Sequence, residues 1–339
     1  MTDRYARQPL FQPIGPGGQE KIRSASVVIT GCGSLGSAAA EILARSGIGR
    51  LRIVDRDIVR LSHLPGQSLF TEKDARDAVP RASAATAAIG LFNSEIRVEG
   101  LVANIDSGNV EELCGGFEVL VDGLDNFETR FLVNEFSVAM DIPWVYGSVL
   151  GSSGTSRMIV PGKTPCLKCL FPDDPAPGSR GTLETSGLIN PVIHAIASFQ
   201  ATQILKLIVN GEGSREKLDI DLWAGDWQSE HSTEKPVADC PCCRKRDFPY
   251  FEGRLADRVT SLCGPDSVQI FPAVRGKLLN LKELAGRYEK KNILKCNDYL
   301  LQAHIEDYEL TVFSNGRAII KGVKDHVEAR ILYSRFIGN

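Results

Sequence analysis

The chain alternates short, unbroken apolar runs with stretches whose apolar residues recur at helical spacing. "GGQEKIRSA" (17–25) has the spacing of a short amphipathic helix. "SVVITG" (26–31) is an apolar, β-branched run of the kind that forms a strand buried on both faces. "SLGSAAAEILARSG" (34–47) is rich in helix formers and ends in Gly47, a candidate C-cap. "RLRIVD" (50–55) predicts the next strand, and "FEVLVDGLDN" (117–126) another buried strand running into a polar loop. "IPWVYGSVLGSSGTSRMIVPG" (142–162) predicts strands separated by glycine turns. "NPVIHAIASFQATQILKLIVNG" (190–211) predicts one long helix bounded by Asn-Pro and Asn-Gly, its apolar face turned to the core. Strands alternating with helices predict an α/β fold, a doubly wound and mostly parallel sheet of the Rossmann type.

The pattern changes near residue 227. "WQSEHSTEKPVADCPCCRKRDFPYFEG" (227–253) is polar, contains proline and lacks apolar periodicity, which predicts a crossover segment closing the first domain. Beyond it, "YELTVFSNGRAIIKG" (308–322) predicts a hairpin around Ser-Asn-Gly, followed by a helix in "DHVEARILYSRFIG". The expected organisation is a nucleotide-binding domain over 1–250 and a small α+β domain over 251–339.

Composition adds exclusions. Apolar residues make up 43% of the 339, enough for a sizeable core. The net charge of −3 provides no basic field for nucleic acid. The first residues, "MTDRYARQPLFQPIGPGG", contain no apolar signal core, and no uninterrupted apolar run reaches 18 residues. The expectation is a cytoplasmic protein that crosses no membrane.

The strand–loop–helix at 26–47 carries Gly31, Gly33 and Gly36 in G-x-G-x-x-G spacing. Glycines let such a turn form and let backbone N–H groups approach a phosphate at a helix N-terminus. Asp55 ends the following strand, where an acidic side chain accepts from ribose hydroxyls. This context points to a nucleotide without deciding between NAD and ATP.

Nine cysteines, an odd number, argue against a disulfide scaffold. Cys166 and Cys169 form one C-x-x-C pair, Cys240 and Cys243 a second, with 70 residues between the pairs. Two such hooks supply the four thiolates of a closed, structural tetrahedral zinc site. Cys242 lies inside the second hook; Cys243 is preferred because it repeats the spacing of the first. A redox dithiol is the alternative.

With these segments assembled, the chain resembles the ThiF/MoeB/HesA adenylyltransferases, bacterial relatives of ubiquitin-activating enzymes. The resemblance rests on "RYARQ" (4–8), "VVITGCGSLGS" (27–37), "VDRDIVRLS" (54–62), "DGLDNFETRFLVN" (122–134), "PGKTPCLKCLF" (161–171) and "DCPCC" (239–243). It implies an ATP- and Mg2+-dependent enzyme that adenylylates the C-terminal Gly-Gly carboxylate of a ubiquitin-like sulfur-carrier protein, on the route to thiamine thiazole or molybdopterin. It also implies a homodimer. By the same resemblance Gly31, Gly33, Gly36, Asp55, Asp57 and Gln67 contact the nucleotide. Asp125 matches a magnesium-binding aspartate. Arg81 falls where relatives carry a catalytic lysine, and Arg7 matches an arginine reaching the triphosphate from the partner subunit.

The chain departs from the family pattern at several points. The usual S-N-L-x-R-Q is here Ser62-His63-Leu64-Pro65-Gly66-Gln67, so Gly66 replaces an arginine and His63 an asparagine. Arg81 keeps the lysine's charge but not its shape. In "GSRGTLETSGLI" (178–189), Leu183 stands where some relatives have a nucleophilic cysteine, and Cys263 is a candidate substitute. Three alternatives to a sulfur-carrier enzyme therefore stand: activation of a ribosomal peptide carboxylate, a non-catalytic nucleotide-binding protein, and an NAD dehydrogenase.

Overall fold

The structure, a computed structural model, describes residues 4–172, 186–213, 215–231, 234–255, 259–261, 267–270, 279–288, 290–323 and 325–337. The chain divides into two units, Met1–Leu255 and Ala256–Asn339.

In the first unit the strands are β1 (Ser26–Thr30), β2 (Arg50–Asp55), β3 (Arg97–Val102), β4 (Val119–Asp122), β5 (Trp144–Leu150), β6 (Ser153–Ile159), β7 (Glu216–Asp221) and β8 (Asp226–His231). The helices are α1 (Gly15–Ser24), α2 (Ser34–Ser46), α3 (Glu72–Asp77), α4 (Arg81–Phe92), α5 (Val110–Cys114), α6 (Phe127–Met140), α7 (Leu167–Leu170) and α8 (Asn190–Asn210). The sheet order is β3-β2-β1-β4-β5-β6-β7-β8. Strands β3 to β5 in that order are parallel, and β6, β7 and β8 continue the sheet antiparallel. The buried faces of β1 and β4 are the unbroken apolar runs that parallel strands covered on both faces require.

Strand order reverses between β1 and β4. A crevice opens at the carboxyl ends of strands at such a point, and ligands bind there. The glycine loop follows β1 and the Gly123–Asn126 loop follows β4, so both lie at the switch.

Helix α8 packs on α2, α1, β5 and β6. Asn190–Asn210 is long and apolar enough to cross a membrane by length and composition alone, a test that the core helix of a soluble protein also passes. It contains no uninterrupted apolar run of that length because His194, Ser198, Thr202 and Lys206 interrupt it, as do Gln200 and Gln203. Both are fully buried within the protein, and Gln200 donates to the Asp122 and Val145 carbonyls.

The segment from 227 is not wholly a crossover. Its first part is β8, an edge strand paired with β7 whose six residues are all exposed, which explains its missing apolar alternation. The remainder wraps α6: Phe131 stacks on Tyr250 and Phe136 meets Phe251 edge-on. The buried Glu135 carboxylate accepts from the Tyr250 and Phe251 N–H groups at 2.8 and 2.9 Å.

The second unit is a six-stranded antiparallel sheet, ordered β11-β12-β13-β14-β10-β9. Its strands are β9 (Val259–Ser261), β10 (Ser267–Ile270), β11 (Ile293–Cys296), β12 (Leu300–Ile305), β13 (Tyr308–Phe313) and β14 (Ala318–Lys321). Helices α9 (Leu281–Ala285) and α10 (His326–Phe336) accompany it. The expected Ser-Asn-Gly hairpin is β13–β14.

Candidate active site and cysteine cluster

The three loop glycines serve different needs. Gly31 has φ +90°, and a Cβ there would stand 2.6 Å from the Gly123 carbonyl oxygen. A Cβ on Gly36 would stand 1.9 Å from the Gly31 oxygen. Contact with the loop after β4 therefore demands glycine at 31, and the return of the glycine loop onto its own Gly31 carbonyl demands it at 36. Gly33 is different: a Cβ there would meet only Arg81 Nη1 and the Gly123 oxygen, each at 3.9 Å, an ordinary contact. Packing does not require glycine at 33, so its bare backbone is available to something outside the fold. Gly33 is also the N-cap of the 13-residue helix α2 and provides no side-chain cap. The first N–H groups of α2 thus keep the partial positive charge that attracts phosphate.

Around this loop lie four of the residues expected to bind nucleotide. Asp55 is buried at the end of β2, where Oδ2 accepts from Cys32 N and Oδ1 from Asp57 N, both at 2.6 Å. Each oxygen retains a lone pair. Burial raises the Asp55 pKa against the opposing pull of Arg81. Arg81 opens α4 and is 8% exposed. Its Nη1 lies 3.8 Å from Asp55 Oδ2 and 3.6 Å from Asp57 Oδ2. Its Nη2 lies 2.9 Å from His63 Nδ1. Burial would lower its pKa, but Asp55, Asp57 and Asp125 outweigh it and hold Arg81 charged. Gln67 is also buried, and its Oε1 has no hydrogen-bond partner among the described residues.

Across the switch point, Asp125 is exposed and accepts from the Asn126 side chain at 3.1 Å. Asp125 is not the cap of α6; Asn126 is, accepting from Thr129 N at 2.9 Å. Sequence reading missed what fixes this loop. Asp122 is fully buried and accepts from Arg130 Nε at 3.0 Å and Leu124 N at 2.9 Å. Arg130 Nη2 donates to the Leu124 and Gly147 carbonyls at 2.6 and 3.0 Å. Both residues stand in the quoted "DGLDNFETR", an acidic and a basic side chain flanking the loop, which was the available signal.

Arg7 is not brought to this site in its own chain. Tyr5 is buried against Gly47, and Gln8 donates to the Ser46 carbonyl, both at the far end of α2. A helix of 13 residues is about 20 Å long, which separates Arg7 from the glycine loop. At position 66 a Cβ would lie 2.8 Å from Ser34 Oγ and 3.0 Å from Ile193 Cδ1. The turn Leu61–Gly66 thus lies against the start of α2, and a side chain at 66 would need the Ser34 and Ile193 side chains to shift. Leu183 and Cys263 lie outside the described residues.

The cysteines converge far from one another in sequence. Cys166, Cys169, Cys240 and Cys243 have sulfurs all within 4.8 Å of each other. The separations are 3.8 Å for Cys166–Cys169, 3.7 Å for Cys166–Cys240 and 3.5 Å for Cys169–Cys243. Four thiolates bonded at about 2.3 Å around a tetrahedral ion stand roughly 3.8 Å apart. The donor set and spacing thus fit a closed site that could hold a metal ion. Val237 N donates to Cys169 Sγ at 3.4 Å. Cys242 is not in that set of four; Asn134 Nδ2 donates to its sulfur at 3.3 Å while Oδ1 accepts from Leu167 N at 2.7 Å.

Comparison with known proteins adds four findings. The ThiF family model matches residues 5–242. The sulfur carrier protein ThiS adenylyltransferase of Bacillus subtilis is 39% identical over 339 residues, covering all of both chains. The SAMP-activating enzyme E1 of Haloferax volcanii is 36% identical over 72% of this chain and 89% of its own. Among solved structures, E. coli MccB with AMPCPP and MccA superposes with a TM-score of 0.62 at 26% identity, over 71% of this chain and 74% of that one.

Proposed function

The chain belongs to the ThiF family, and from that premise we propose that it adenylylates the C-terminal Gly-Gly carboxylate of a ubiquitin-like sulfur-carrier protein. The observation that carries this reading is the switch-point crevice. There the open backbone of Gly33 faces Arg81, and Asp125 is near enough to raise the Arg81 pKa, in a chain matched end to end by a ThiS adenylyltransferase.

The chemistry suits that crevice. A carboxylate oxygen attacks the α-phosphorus of ATP, the bond from that phosphorus to the bridging oxygen breaks, and pyrophosphate leaves with the electron pair. The transition state spreads negative charge over phosphate oxygens, which fixed donors and cations stabilise most when solvent is excluded. The N–H groups at the start of α2 bind phosphate, Arg81 offsets its charge, and Asp55 and Asp57 accept from ribose. Gln67, with its orphaned oxygen, completes the pocket wall. Asp125 would hold Mg2+, which when bound neutralises phosphate charge.

Arg7 reaches a triphosphate only in a second copy, about a helix length from its own loop, which supports a homodimer with sites completed across the interface. Zinc in the four-cysteine cluster is the reading its sulfur spacing supports, and there it would be a structural clamp. A soluble, cytoplasmic enzyme of thiamine or molybdopterin synthesis is the setting this implies.

The likeness to MccB bound to MccA favours a second reading, in which the activated carboxylate belongs to a peptide. ATP–pyrophosphate exchange with a panel of Gly-Gly carriers separates the two. Exchange that needs a carrier and is lost in Asp125→Ala supports the first. Exchange with peptides alone moves the substrate to the second, and NAD binding without ATP binding sinks both.

A further inference from the structure

We infer that His63 is a positioning residue for Arg81, holding the guanidinium at the nucleotide site through a neutral acceptor that adds no further negative charge to the two aspartates already paired with it. The inference rests on the adenylylation reading for its kinetic consequence, though not for its geometry.

The hydrogen bond itself fixes the protonation. A guanidinium has no acceptor lone pair, so Arg81 Nη2 donates and His63 Nδ1 accepts across 2.9 Å. The imidazole in this contact is therefore neutral, with its proton on Nε2. The other guanidinium nitrogens are held less tightly. Nη1 stands 3.6 and 3.8 Å from Asp57 and Asp55, beyond good hydrogen-bond distance. Nε is buried with no hydrogen-bond partner among the described residues. Both contacts are ion pairs already, and without His63 the guanidinium is free to close them to full hydrogen-bond contact. Its charge would then be spent inside the protein instead of on phosphate. A carboxylate at 63 would spend it in the same way.

Position 66 does not supply the missing cation, because glycine has no side chain. The nucleotide site of this chain thus depends on Arg81, and His63 keeps Arg81 available beside Gly33.

Protonation would put a hydrogen on Nδ1, so that donor faces donor and cation faces cation. Histidine is the side chain whose unperturbed titration spans physiological pH. The other charged groups around the couple come from several elements. Asp55 and Asp57 come from the end of β2, Asp125 from the loop after β4, and the Cys32 thiol from the glycine loop. The Leu61–Gly66 turn also packs on α2, α3 and α8. Helix α2 brings Glu41, which is held by Arg45 and Ser68. Helix α3 brings Glu72, Lys73, Asp74, Arg76 and Asp77; Asp74 closes its capping box and Asp77 pairs with Lys73. Helix α8 brings His194.

The test compares wild type, His63→Ala and His63→Asn as full chains. The readout is ATP–pyrophosphate exchange across pH 5.5–8.5, with whichever carrier supports it. His63→Ala should lower kcat by about tenfold to a hundredfold, less than the ~10²–10³ expected for losing a charge-stabilising donor outright. Its KM for carrier should stay within about twofold, since the change acts through Arg81 on transition-state charge. His63→Asn keeps a neutral acceptor that cannot titrate. It should restore kcat to within about threefold and abolish the acid limb seen in wild type. Wild-type kcat in His63→Ala, no rescue by asparagine, or an unchanged acid limb in His63→Asn would each overturn the inference. A second arm needs no turnover. Nitrogen-15 long-range correlation spectra should show His63 with its proton on Nε2 and an Nδ1 shift that moves in Arg81→Met. An Nδ1–H tautomer, or a shift indifferent to Arg81→Met, overturns the couple itself. Wild type inactive with every carrier would instead sink the adenylylation reading, while the spectra still decide the couple.

Discussion

Stripping a metal ion from Cys166, Cys169, Cys240 and Cys243 would open a loop that the two hooks close across 70 intervening residues. By chain-entropy reasoning, a cross-link around a loop of that length is worth about 4 kcal/mol at 25 °C. A unit of this size shifts in Tm by roughly 2–4 °C per kcal/mol, so the stripped protein should melt about 10 °C lower. The sulfurs also crowd one another: burial, then the neighbouring thiols, push the Cys243 thiol up to about 12, so the ionised cluster needs a cation. The assay is elemental analysis of the purified protein followed by calorimetry before and after chelation. One zinc per chain is expected, with the lost Tm restored by zinc and not by magnesium. Cys243→Ser should reproduce the drop. Cys242→Ser should keep one ion per chain, because that sulfur is not among the set of four and accepts from Asn134 instead. Protein isolated without any transition metal, or an unchanged Tm after the ion is removed, would refute the clamp. A reductant-sensitive Tm without metal would move the cluster to a redox dithiol.

Two further outcomes are expected. Arg130→Met leaves the fully buried Asp122 without its ion-pair partner, at a cost of about 3–5 kcal/mol in denaturant unfolding. Adding Asp122→Asn to it should recover part of that loss, and an undiminished midpoint in the single variant would refute the pairing. Glu135 is pushed by burial to about 7, above its ordinary 4.5. A carboxyl whose pKa is raised on folding contributes stability that is complete below the unfolded pKa and lost as pH rises through the folded one. Unfolding free energy should therefore fall by up to ~3 kcal/mol between pH 4.5 and 8 on account of this group. Glu135→Gln, which can still accept from Tyr250 and Phe251, should remove that slope; an identical slope in the variant would show that other groups set it.

Much of the first unit was legible because its signals are local. The unbroken run at 26–31, the glycine spacing after it and the Asn-Pro and Asn-Gly ends of 190–211 each specify an element through neighbours in sequence. The Ser-Asn-Gly hairpin of the second unit was legible for the same reason. Strand β8 was not, because an edge strand exposed on both faces carries no apolar alternation. The apolarity of α8 was understated because its buried Gln200 donates to two carbonyls, and its buried Gln203 to the Glu216 carboxylate, that only the folded sheet brings near.

The amino-acid order alone determined that a nucleotide loop, an acidic strand end and two cysteine hooks were present. Those features depend on residue type and spacing, which the chain states directly. Tertiary structure decided how they are used. It made Gly31 obligatory through contact with Gly123 and Gly36 through contact with the Gly31 carbonyl, while leaving Gly33 open. It set Arg7 a helix length from its own loop. It joined His63 to Arg81, and drew four sulfurs together across 70 residues. Such pairings arise from where the sheet reverses its strand order, and local periodicity carries no information about that.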